Sequence, residues 1–509
     1  MPMKSSKFLL LFFCLIKLTL HLIADVHSGF QGDELLHIST GNHPAFGYME
    51  FPPLIALLAG VQNLFHSDTV WVHHLLPHIA SLIIMITVAR ITIALGGGNK
   101  AVFLTLLAFL IMPATGRSQQ LLQPVVFSQL FWVLSFYQLL RYMQTTERKY
   151  LLRLFVCVTL GFLTKYDMLF FAVGLVALFT TTPVRKALME QRWWRYVILF
   201  LLILLPNIIW QYLHDWPVYQ MFHQLKKTQL DQLSYLHIII GIILGSNIYN
   251  LVLLLPAIVF IFIRKPQRIY LPVGLSILTS FLLLLFNNGK SYYFFPIVFT
   301  LIPFGAVCLE ETIFSRWRWI FWPVSLLLLY GAWMIPFGMP VLNMDNYIKY
   351  YYKYQQKDVP GTTYALQYEE YYTNDMWKET LQSLRQVYDN LPQQERANCM
   401  IWGKHYSQTG LLELMGAKYG LPAGFGYHGS FYSWAPEKGP MPQTVIAVAF
   451  RDTPIEFFTP FFEKVDVVKV LPNYYAEYEG RVDQTIYICR QPRYDFSQMK
   501  ENFRLRIFE

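Results

Sequence analysis

Residues 8–39, FLLLFFCLIKLTLHLIADVHSGFQGDELLHIS, run from an apolar stretch straight into two neighbouring carboxylates, Asp33 and Glu34. The stretch Phe8 to Ala24 is long enough to cross the hydrocarbon core of a bilayer as a helix. Beyond it no Lys or Arg appears before Arg90. Acids held at the end of a membrane span without a cation nearby are costly, which marks them as functional candidates.

Further apolar windows follow near 71–95, 101–115, 120–140, 151–164, 168–181, 194–213, 236–263, 269–287, 292–309 and 319–338, and they stop at about Met339. A chain that is 54% hydrophobic and only 14% charged fits the same class. We therefore expect an α-helical polytopic membrane protein with about eleven spans over 1–339, a first outside loop over 25–70, and a soluble α/β domain over 340–509. Lys4 and Lys7 before an apolar run resemble a signal peptide. No small-residue cleavage pattern follows, however, and Lys17 interrupts the run, so this segment is expected to remain as the first span.

The net charge of +9 would suit a nucleic-acid partner, but its placement argues against one. With the N-terminus inside, seventeen Lys and Arg fall in inside segments; only Arg117, Lys165, Lys226, Lys227 and Lys290 fall outside. That bias fixes orientation, and the odd number of spans puts the 25–70 loop and the C-terminal domain on the non-cytoplasmic face. The turn GGGNK at Gly96 to Lys100 has neither the spacing nor the compartment of a nucleotide site, so no nucleotide is expected.

After Glu50, PPLIALLAGVQNLF is too short to span and reads as a stretch lying along the membrane surface. In the last third, MWKETLQSLRQVYDNL and QTGLLELMGAKYG have helical spacing, whereas CMIWG, TVIAVAF and TIYICR read as strands. Cys399 and Cys489 stand in two of those strands, in an oxidising compartment, and are candidates for a disulfide.

GDELLHISTGN reads as a short helix that starts at the acids and ends near Gly41. On it Asp33 and His37 share a face, while Glu34 points about 100° away. One acid can then face a cavity while its neighbour braces the loop. The plainer alternative is that both acids favour the positive end of the helix dipole. A third acid, Glu50, stands in GYMEFPPL. Carboxylates gathered at a membrane interface need a cation or raised pKa values, which points to a divalent metal or to proton transfer. Lys165 in LTKYD and Lys290 in NNGKSYYFFP sit at outside ends of spans, where each suits a lipid phosphate; the alternative is snorkelling to the headgroups.

GDELLH, GYMEFPPL, LTKYD, PNIIWQYLHDWP, GKSYYFFP and the tail IWGKHYSQTG...GLPAGFGYHGSFYSW, in this order and topology, resemble glycosyltransferase family 39 of the GT-C fold. That group holds the protein O-mannosyltransferases and the lipid A aminoarabinose transferases, and the likeness is closest to its shorter bacterial members. The resemblance implies a protein of the bacterial inner membrane, with a periplasmic C-terminal domain, that transfers a sugar with inversion from a polyprenyl-phosphate donor to an envelope glycan, lipid or protein. It implies catalytic acids among Asp33, Glu34 and Glu50, with Asp33 as general base and Glu34 supporting the loop. Lys165, Lys290 and Tyr293 would lie near the donor phosphate, and Glu50 and His223 would be ligands of a divalent metal. Two positions depart from the family. Phe51 stands where many members carry Lys or His, and His37 replaces a frequent aromatic residue, which leaves open an extra ligand or base. Tyr427, His428, Tyr432 and Trp434 are candidates for a sugar platform, or else for packing. The rival class is a lipid or polysaccharide transporter or flippase, but the chain offers no inverted repeat to support it.

Overall fold

The computed structural model of the chain describes residues 2–263, 269–355, 369–451, 453–472 and 483–508; Arg264, Lys265 and Arg268, expected among the inside cations, fall outside them. Two compact units result. One holds residues 1–23, 51–54 and 74–341, and the other residues 24–50, 55–73 and 342–509.

The first unit is helical, and each expected apolar window in it carries a helix or a broken pair. Ser6–His27, Leu75–Ala94, Trp194–Leu213, Ser291–Phe314 and Arg318–Phe337 are long and apolar enough to cross a membrane. Three pairs qualify together but bend: Asn99–Leu110 with Ala114–Gln120 by 68°, Met168–Thr180 with Thr182–Glu190 by 108°, and Tyr235–Gly245 with Ile248–Ile263 by 88°. The remaining windows hold Pro124–Thr145, Arg148–Thr164 and Leu271–Phe286, which are shorter or more polar. A broken helix frees backbone groups that lipid cannot satisfy. Here Asn247, at the break of one pair, donates from Nδ2 to the carbonyls of Ile111 (3.0 Å) and Gly331 (2.9 Å), and Asn250 donates to Ala108 (2.9 Å). One buried amide at one break thus satisfies a carbonyl at another break and one inside the span Arg318–Phe337.

The second unit is built on a five-stranded sheet of order β2-β1-β3-β5-β4, with β1 Met400–Gly403, β2 Gly424–Phe425, β3 Thr444–Phe450, β4 Phe462–Leu471 and β5 Gln484–Pro492. β1 runs parallel to β2 and β3, and β5 pairs antiparallel with β3 and β4. The helices Glu369–Asp389 and Tyr406–Met415 appear where the spacing predicts them. Trp402 on β1 anchors an aromatic core with Phe425, Phe458, Phe461 and Phe503. Tyr427 belongs to this core as well: it is 1% exposed and stacks on Phe503 at 4.8 Å. It is therefore a packing residue and not part of a sugar platform. Cys399 and Cys489 are buried and free. β3 lies between their strands, since Met400 and Cys489 both register on Val445. Two strand spacings are about 10 Å, beyond the roughly 7 Å a disulfide can bridge.

The 25–70 loop, expected with the spans, groups largely with these C-terminal residues because its contacts lie there. Its helix Gly32–Thr40 crosses Tyr406–Met415 so closely that a Cβ at Gly410 would stand 2.6 Å from the Leu35 carbonyl oxygen. Trp377 Nε1 donates to the Phe30 carbonyl at 3.0 Å. The PPLIALLAGVQNLF stretch forms the helix Leu54–Asn63 and leaves Leu57, Val61, Leu64 and Phe65 exposed along one side. That stripe suits a lipid interface.

Candidate active site

The acids of the loop are divided as their helix geometry requires. Gln31 caps the helix, accepting from the Asp33 amide (2.9 Å), and the Glu34 carboxylate returns to the Gln31 amide (2.9 Å), which closes a capping box. Glu34 is fully buried, so it braces the loop and does not face a substrate. Asp33 remains partly exposed and accepts a 2.5 Å hydrogen bond from the Tyr406 hydroxyl. His37, on the same helix, is buried.

Tyr406 opens its helix behind the N-cap His405, whose own capping box with Gln408 fixes that first turn. Its ring packs with His405 (3.9 Å) and His428 (4.9 Å), which lie 4.6 Å from each other, so the three rings form one cluster. Burial, with the Lys404 charge as a smaller contribution, pushes His428 down to about 3, so the imidazole beside Tyr406 is neutral. His428 is partly exposed and packs against both Tyr406 and His405.

Glu50 is held by Ser430, whose amide donates to Oε1 (2.8 Å) and whose hydroxyl donates to Oε2 (2.5 Å). The Met49 amide donates in turn to Ser430 Oγ (3.1 Å). Gly429 makes this approach possible: its φ is +61°, and a Cβ there would fall on Glu50 Oε1. Burial pushes the Glu50 carboxyl up to about 7; the Ser430 bonds oppose that rise, and the nearby Asp33 charge adds to it. The fold therefore favours the protonated form. Ionising Glu50 costs no stability below about pH 4.5, costs progressively more as pH rises, and costs the full amount above about 7. Glu50→Gln should raise the unfolding temperature relative to wild type at pH 8 and leave it unchanged at pH 4.5. The gain is at most about 3 kcal/mol, and less where water reaches the partly exposed side chain. Thermal unfolding of both proteins across this pH range checks it; a difference independent of pH would show that Glu50 ionisation is not its source.

The expected cations lie in the helical unit. Lys165 follows the helix Arg148–Thr164 in extended conformation, and its Nζ sits 3.9 Å from the Tyr293 ring centroid, 4.9 Å from that of Tyr292 and 3.9 Å from Asp167 Oδ2. Lys290 begins the turn Ser291–Phe294 that carries both tyrosines, and its Nζ donates to Gln229 Oε1 at 2.5 Å. Lys165 and Tyr293 are thus brought together, with Lys290 three residues before Tyr293. His223 is exposed on the helix Pro217–Thr228.

Of the expected metal ligands, Glu50 accepts from Ser430 at both oxygens, and among the described residues neither Glu50, His37 nor His223 joins a group of three His, Cys, Asp or Glu side chains. Tyr406 and Ser430 were missed from sequence. Each lies within the tail motif IWGKHYSQTG...GSFYSW, but nothing local tells that they meet acids more than 370 residues earlier.

The helical unit, with its helices of membrane-spanning length, and the α/β unit have the GT-C fold. Residues 50–210 match the family model described as dolichyl-phosphate-mannose-protein mannosyltransferase, in agreement with the likeness to glycosyltransferase family 39. The fold is similar to that of ArnT from Cupriavidus metallidurans in the apo state, with TM-score 0.60 and 14% identity over 95% of this chain and 98% of that one. ArnT bound to undecaprenyl phosphate is similar at TM-score 0.57 and 14% identity, over 94% and 97%. The oligosaccharyltransferase of Archaeoglobus fulgidus, in complex with Zn and sulfate, matches at TM-score 0.50 and 13% identity, over 80% of this chain and 61% of that one. No curated protein matches by sequence.

Proposed function

We propose that the chain transfers a sugar from a polyprenyl-phosphate carrier to an acceptor on the periplasmic face of a bacterial inner membrane, with inversion at the anomeric carbon. Asp33 carries this reading. It is partly exposed and held at one oxygen by Tyr406, whereas Ser430 bonds both oxygens of Glu50, and it stands on a fold shared with a protein whose structure contains undecaprenyl phosphate.

Asp33 takes the proton of the acceptor hydroxyl or amine as that atom attacks the anomeric carbon from the face opposite the phosphate. The C–O bond to the carrier breaks, and the phosphate leaves with the electron pair. Lys165 and Lys290 offset its charge, so no general acid is needed. Tyr293 lies under the Lys165 ammonium and holds it in place. Glu34 and Glu50 fix the loop and its approach to Tyr406 and Ser430.

Lipid extraction and mass analysis of cells lacking the chain tests this directly. A polyprenyl-phosphate sugar should accumulate and an envelope component should lose the matching sugar mass, with both changes reversed by the wild-type chain. An unchanged envelope with a redistributed lipid would instead favour transport.

A further inference from the structure

The two helices that hold the acids also wall a cavity of about 470 Å³ within the second unit. From the Tyr406–Met415 helix come Thr409 and Glu413; from the turn Phe431–Trp434, just after Ser430, come Phe431 and Trp434; Gly424 and His43 complete the lining. His43 stacks flat on Trp434, with centroids 4.1 Å apart and planes 12° from parallel, and Phe431 meets Trp434 edge-on at 4.9 Å. Glu413 is paired with His43 (3.3 Å) and accepts from Asn42 Nδ2 (2.9 Å), so its carboxylate is held on the wall.

Resting on the transferase reading, we propose that this cavity is the acceptor subsite and that it takes a saccharide. A sugar ring has an apolar C–H face and a rim of hydroxyls. The cavity offers the matching pair: a rigid aromatic slab and a fixed carboxylate. An acyl chain would leave the Glu413 carboxylate facing hydrocarbon, at a cost. The volume lies within the range of small-ligand pockets. Thr409 is one helical turn from Tyr406, which touches Asp33, and Phe431 directly follows Ser430, which touches Glu50, so a ring in the cavity lies next to the residues that hold both acids.

The test uses the full-length protein in lipid nanodiscs. The donor is the polyprenyl-phosphate sugar extracted from cells lacking the chain, and the acceptor is the envelope fraction of the same cells. Trp434→Ala and Glu413→Gln should each raise the amount of acceptor at half-saturation about tenfold, with the loss in half-saturation and not in the saturating rate, and Trp434→Phe should recover most of it. Oligosaccharides released from the envelope fraction should compete with transfer by the wild type and much less with Trp434→Ala. Half-saturation unchanged in both variants, a fall confined to the saturating rate, or absence of competition by the released saccharides would each overturn the proposal. A wild-type protein that transfers nothing would instead remove the transferase reading itself, and the subsite with it.

Discussion

Asp33→Asn is expected to lower sugar transfer by roughly 10²–10⁴, the range a positioned general base contributes. The substitution is nearly isosteric, and the asparagine oxygen can still accept the Tyr406 hydroxyl, so the loop helix and its cap are preserved. What disappears is a group able to take the acceptor proton. Glu34→Gln should act differently. Its carboxylate closes the capping box on Gln31, so the loss should appear as thermal instability with the activity of the folded fraction largely kept. Steady-state transfer and unfolding measured on both variants separate the roles. If Asp33→Asn transferred at the wild-type rate, Asp33 would not be the base.

The next largest effect is expected at Lys165. Replacing it with Met keeps the stem packed against Tyr293 and removes the charge, and transfer should fall by about 10²–10³, as when a preorganised group facing developing negative charge is lost. Because the charge develops on the leaving phosphate, the loss should appear in the rate at saturating donor more than in donor binding. Lys226→Met is the matched control. It too is expected on the outside from the charge bias, but it lies exposed on the helix Pro217–Thr228, and transfer should be unaffected. Equal losses in the two variants would mean that general surface charge, and not a placed ammonium, supports the reaction.

Much of this was readable from residues in order. Apolar length marks the spans, because lipid punishes polar side chains wherever they fall. The separation of Asp33 from Glu34 follows from the 100° turn per helical residue, and β3 is plain because TVIAVAF is buried on both faces. β4 was not readable. FEKVDVVKVL lies at the sheet edge, with Glu463, Lys464, Val467, Val468 and Val470 all exposed, so it lacks a clean buried-exposed alternation. The partners of the acids were hidden for another reason: Tyr406 meets Asp33, and Ser430 meets Glu50, through tertiary packing that leaves no local period. Tyr427 misled because an aromatic run reads alike whether it lines a surface or fills a core. Cys399 stands just before one recognisable strand and Cys489 within another, but the strand that separates them is revealed by sheet order alone.

The long sequence separation of those pairs bears on how the protein is made. Asp33 and Glu50 leave the ribosome 373 and 380 residues ahead of Tyr406 and Ser430. At ordinary synthesis rates that is an interval of about 20–75 s. Throughout it the loop has its helix cap but neither of the hydroxyls that hold its two acids. The site is therefore finished last, and a nascent chain released early would carry both carboxylates in an unassembled state.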